Sequence, residues 1–309
     1  MTKKRIQSRI AGSRRAYPIA LVLATAVWLA RGLVDEGLWL PFALVICTTW
    51  IVARTNTIHA IMRTYTRMMA CSFLSMSLIC LPYFIDPRGA GMALGFAMIF
   101  FFLFSTYQDK ASVGTVFVTF AMVGFTSLLY VKTLYLVPIL WIVLLSRMMA
   151  MSPRTFGASL FGLAAPYWFA ATYCMAFADI DVMVRHLSGL WQLSPIPDWE
   201  SVTLGAVAMF SIVVVLMLTG VIHFVNTSHN DKIKTRMIFE SYMLMCAALT
   251  VFIVLQPKDV ALLLPALIVT TAPLLAHYIT YTETRLTNLS FLAMIALTAL
   301  ATWYHLWKY

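Results

Sequence analysis

The chain has 309 residues, 61% of them hydrophobic and 11% charged, where a soluble domain carries about 25% charged residues. That much apolar side chain cannot be covered by the polar surface of a water-soluble globule, so the surplus must face lipid. The net charge of +10 does not point to nucleic acid, because the basic residues sit in short connections between apolar runs, where they set orientation and attract anionic headgroups.

A bilayer core of about 30 Å takes about 20 helical residues. On that rule the apolar runs predict helices at 17–34, 38–53, 68–85, 90–107, 113–131, 133–151, 155–178, 201–222, 237–255, 259–280 and 287–304. The expected fold class is therefore an all-α, polytopic bundle of about eleven transmembrane helices, with a basic cytoplasmic segment at 1–16 and a single transmembrane domain at 17–309. Residues 1–16 hold Lys3, Lys4, Arg5, Arg9, Arg14 and Arg15 ahead of the first run, which reads as an uncleaved signal anchor.

With the N-terminus inside, Arg54, Arg63, Arg67, Lys110, Arg147, Arg154, Lys232, Lys234, Arg236 and Arg285 join those six on the cytoplasmic side. The outer connections collect Asp35, Glu36, Asp86, Asp179, Asp181, Asp198, Glu200 and Asp259. The signs separate as an N-in, C-out topology requires. Merging the fifth and sixth helices through Lys132 would leave ten and would turn the basic Lys232–Arg236 connection outward, so eleven is preferred.

Between the second and third helices, His59, Arg63 and Arg67 recur at four-residue spacing, with Ile58, Ile61, Met62, Tyr65 and Met69 forming an apolar stripe. The spacing predicts a basic amphipathic helix on the cytoplasmic face that binds lipid headgroups. The connection from His223 to Arg236 reads the same way. Few ionisable residues fall inside apolar runs, and Glu240, one turn into its helix, is expected to pair with Arg236.

Gly91 and Gly95, and Ala158 and Gly162, are small pairs at four-residue spacing, suited to close helix packing. Pro138, Pro166, Pro265 and Pro273 lie inside apolar helices, and the last two suit a kink or break. The connection from Asp179 to Glu200 contains Arg185, His186, Pro195, Pro197, Trp191 and Trp199, and its middle suits a short amphipathic helix.

The outer acids Asp35, Glu36, Asp179, Asp181, Asp198 and Glu200 are the candidate catalytic residues. Arg185, His186, Trp191 and Trp199 are the candidate substrate-binding ones, since acids bond sugar hydroxyls and indole rings stack on apolar sugar faces. The five cysteines lie in apolar runs without metal-ligand spacing, so no metal site is expected. Phosphate-loop, zinc-protease and serine-elbow motifs are absent, and no cofactor is indicated.

The stretch YQDKASVGTVFVTFAMVGFTSLLYVKTLYLVPILWIVLL, the SPRTF helix start with APY inside that helix, and the late QPKD turn together resemble a family of uncharacterised polytopic inner-membrane proteins of Bacteroides-type bacteria. The likeness runs from about residue 50 to about residue 305. It implies location and helix number, and no activity.

Three functions are weighed. The first is a scaffold or accessory component in envelope export or assembly, with membrane lipids and a membrane protein as partners. The second is a glycosyltransferase, polymerase or carrier for lipid-linked saccharides at the outer face. The third is a small-solute transporter, which would need a polar site at the membrane midplane.

Overall fold

The computed structural model describes residues 5–177, 179–193 and 197–308. Lys3, Lys4 and Pro195 lie outside the described residues, as does the side chain of Lys308.

The described chain is all-helical, and its α-helices run as follows: α1 Ile6–Ala11, α2 Ala16–Ala30, α3 Trp39–His59, α4 Met68–Ile79, α5 Pro82–Ile85, α6 Pro87–Leu103, α7 Val113–Leu129, α8 Val137–Ser146, α9 Pro153–Phe177, α10 Ile180–Ser188, α11 Leu204–Thr227, α12 Ile233–Leu255, α13 Val260–Tyr281 and α14 Arg285–Lys308. Among the described residues, six stretches are long and apolar enough to cross a membrane: those of α6, α9, α11, α12, α13 and α14.

Local chemistry sets the ends of several helices. The α9 start is a reciprocal cap: Ser152 N–H donates to Thr155 Oγ1 at 2.7 Å and Thr155 N–H to Ser152 Oγ at 3.2 Å, with Pro153 in the first turn, where its missing N–H costs nothing. Asp86 caps α6 and Thr203 caps α11. The predicted run 68–85 is divided, because Pro82 lacks the N–H that would continue the ladder and instead opens α5. The run through Lys132 is interrupted too. Tyr130 is extended, with φ −151° and ψ 101°, and a 3₁₀ segment Val131–Leu136 leads into α8.

The segment after α3 departs from expectation. Ala60 adopts φ +49°, in the left-handed region, and α4 starts only at Met68, so residues 60–67 are no amphipathic helix. Their backbone groups are taken by other elements: Asn56 Oδ1 accepts from Met62 N–H at 3.1 Å, and the Tyr281 hydroxyl accepts from Arg63 and Thr64 N–H at 2.5 and 3.3 Å.

The hub is α13. It packs against α4, α6, α11 and α12, and 89% of its apolar stretch is buried, against 11% for peripheral α9 and α14. It continues unbroken through Pro265 and Pro273. Close approach depends on glycine: a Cβ on Gly220 would lie 2.7 Å from the Leu274 carbonyl carbon, and one on Gly124 would lie 2.9 Å from the Leu163 carbonyl oxygen. Gly162 likewise lets α9 meet α7, where an added Cβ would lie 3.1 Å from Ala121 N.

Candidate functional site

The best-developed polar constellation is a buried one at the end of the bundle where α1 lies. Asp231, between α11 and α12, is 7% exposed, and His277, one turn from the end of α13, is 0% exposed. His277 Nε2 sits 3.1 Å from Asp231 Oδ2. A carboxylate only accepts, so this nitrogen carries the hydrogen. Arg63 Nε reaches the other oxygen, Oδ1, at 2.8 Å, and its Nη1 donates to Asn230 O at 3.2 Å.

Aromatic rings close the cluster. The Arg63 guanidinium lies 4.4 Å from the Tyr281 ring centre, a cation–π distance. His277 is boxed by Phe224, Phe239, Tyr281 and His223 at 4.7 to 5.3 Å between ring centres. His277 Nδ1 and His223 Nε2 are both buried without a hydrogen-bond partner. One carboxylate thus binds a cation and an imidazole at once. It ties the 60–67 connection, the α11–α12 connection and the central helix into one unit.

Neighbouring contacts extend that unit to α1. Gln7, 1% exposed, donates through Nε2 to Ile279 O at 2.8 Å and to Thr282 Oγ1 at 2.7 Å. Its backbone N–H reaches Asn288 Oδ1 at 3.1 Å, and Thr66 Oγ1 donates to Ala11 O at 2.9 Å.

The three residues expected to face lipid headgroups have different settings. His59 is buried, its Nε2 3.1 Å from Phe101 O, so it cannot reach a headgroup. Arg63 is held by Asp231. Arg67 is half-buried, beside the rings of Tyr17 and Tyr65. Glu240 pairs with Arg147, beyond α8, rather than with Arg236, because tertiary packing brings the α8 end closer than the same-helix neighbour.

The outer candidates divide into several settings. Glu36 is bound by Arg31 at 2.7 Å, and Asp35 beside it is exposed. Asp179 caps α10 by accepting from Asp181 N–H, and Asp181 O accepts from Arg185 Nε at 3.3 Å. His186 Nε2 lies 3.0 Å from Ser127 O, which pins α10 to the end of α7. Trp191 is 88% exposed, while Trp199 packs on Phe210.

Asp198 bonds Lys258 at 2.9 Å. The Lys258 ammonium, helped by Ser201 N–H, holds the Asp198 carboxyl below its ordinary value. Glu200 is exposed. Asp259 is taken by Lys132 at 2.7 Å.

From the sequence, Asp231 reads only as part of a basic, headgroup-facing connection, whereas it is buried against Arg63 and His277, and His277 is not singled out. The available signal was one acid in an otherwise basic connection, together with a histidine inside an apolar helix. Among the described residues no group of histidine, cysteine and carboxylate side chains could hold a metal ion. No family model, curated protein or solved structure was found to match this chain.

Proposed function

We propose that this chain is a multi-pass component of the bacterial inner membrane that crosses it eleven times, N-in and C-out, and serves as a scaffold or accessory subunit in envelope export or assembly. The observation that carries this reading is the enclosed central helix. A solute path needs space within the bundle, and here 89% of the α13 stretch is buried among α4, α6, α11 and α12.

Two groups of bonds among the connections support eleven crossings. One group joins α1 to the 60–67, 228–232 and 282–284 connections. The other joins Lys132 to Asp259 and Lys258 to Asp198. The saccharide reading is less favoured, because Glu36 and Asp198 are engaged by Arg31 and Lys258 where a general base would have to be free for substrate. The resemblance to the Bacteroides-type family supports the same location.

Native mass spectrometry of protein gently extracted from its own membrane tests the proposal. A stoichiometric protein partner is expected. A retained polyprenyl-linked saccharide, lost in Asp35→Ala or Asp181→Ala, would overturn the scaffold reading in favour of the enzyme.

A further inference from the structure

A lateral groove of about 820 Å³ runs between α2 and α14, with α4 as its floor. It exists because α2 and α14 both pack on α4, and small residues such as Ala16, Ala20, Ser75 and Ala299 leave the space between them unfilled. Along α14 its lining runs from Phe291 to Leu306, about 22 Å at 1.5 Å per residue. That exceeds half of a hydrocarbon core about 30 Å thick.

The lining is apolar along nearly all of that length and contains no carboxylate, but it ends at Arg9 and Ser13. Arg9 is exposed and has no ion-pair partner among the described residues. Its position is fixed all the same, since Gln7, two residues earlier, clamps α1 to the ends of α13 and α14 through three hydrogen bonds. Within the groove, Ser72 is 3% exposed, and its buried Oγ has no hydrogen-bond partner.

We propose that this groove is a binding site for an anionic glycerophospholipid, with an acyl chain along α4 and the phosphate at Arg9. A long apolar trough with an unpaired cation fixed at one end matches an amphiphile whose single charge is negative. The site is independent of the scaffold reading and stands or falls on lipid retention alone.

The test uses the full chain in nanodiscs of equal parts dioleoyl-phosphatidylglycerol and dioleoyl-phosphatidylethanolamine, followed by native mass spectrometry with increasing collisional activation. Phosphatidylglycerol is expected to survive after phosphatidylethanolamine is stripped. Arg9→Gln is expected to lower its retention about fivefold, the usual contribution of one basic residue near an anionic headgroup. Ala20→Trp, which fills the groove from the α2 wall, removes it.

Equal retention of the two lipids, or retention of phosphatidylglycerol unchanged in Arg9→Gln, would overturn the proposal and leave only a bulk lipid coat. Should Ala20→Trp fail to fold, Arg9→Gln, an exchange on an exposed side chain, decides the matter alone.

Discussion

Asp231 compensates Arg63 and orients His277 at the same time, so its loss leaves a fully buried imidazole and a guanidinium one-third exposed without their partner. Breaking a buried ion pair from one side costs about 3 kcal/mol or more. Asp231→Asn should therefore lower the unfolding free energy in detergent by about that amount. Arg63→Gln should cost at least as much, since it leaves the Asp231 carboxylate, its side chain 1% exposed, without its cation. The double variant should cost less than the sum, as contacting residues do; strict additivity would deny that the two residues interact.

The opposite end of the bundle offers a pH test. Lys258 depresses the Asp198 carboxyl, so their attraction is present above the ordinary carboxylate range and is lost as pH falls through the lowered value. Carbon-13 titration should find Asp198 below the reference value of about 3.9, and Lys258→Met should move it upward. A midpoint that ignores Lys258→Met would assign the depression to Ser201 instead.

These contacts were legible in the sequence only in part. The Arg31–Glu36 pair lies within one turn, and its chemistry follows from short spacing. Asp231 and His277 are 46 residues apart; what unites them is the approach of α11 to α13 at Gly220, which no periodicity encodes.

Helix α9 contains its own control at the scale of the element. Gly162 faces the α7 backbone, whereas a Cβ added at Gly157 meets nothing within 4 Å. Gly157→Ala should therefore stabilise the helix by about 0.5–1 kcal/mol through backbone entropy alone. Gly162→Leu should drive α7 and α9 apart and lower thermal stability, as overpacking by about 1–3 kcal/mol does. Equal effects at the two positions would contradict the packing.

Hydrophobic run length placed helices, because each of the eleven runs contains one, but only six stretches among the described residues are long and apolar enough to cross a membrane. It carried internal breaks poorly. Pro82 divides one run, and extended Tyr130 with the turn after it ends another. Residues 60–67 had the spacing of a helix but not its outcome, since Asn56 and Tyr281 capture the backbone N–H groups that a helix would need. Helix α1, expected only as a basic segment, forms against α13 and α14 through Gln7. Helix α10 does occupy the middle of the long outer connection, where a short amphipathic helix was expected.

For the whole molecule, the organising feature is that the most enclosed helix also carries the fully buried His277. Membrane helices gain little from hydrophobic contact with one another, so their association rests on close packing and shared polar bonds. Here α13 supplies both, with Leu274 against Gly220 and His277 bonded to Asp231. The peripheral α9 and α14 keep large apolar side chains outward, among them Phe161, Trp168, Trp303 and Trp307, which suits lipid or a membrane-embedded partner.

All the functional readings depend on which connections share a side of the membrane. Labelling of single-cysteine variants with a membrane-impermeant maleimide, in sealed right-side-out and inverted vesicles, measures this directly. Asp35→Cys and Asp181→Cys should react only from the outer side, and Ser13→Cys, Lys110→Cys and Thr284→Cys only from the inner side. Thr284→Cys and Asp181→Cys reacting from the same side would contradict the eleven-pass arrangement.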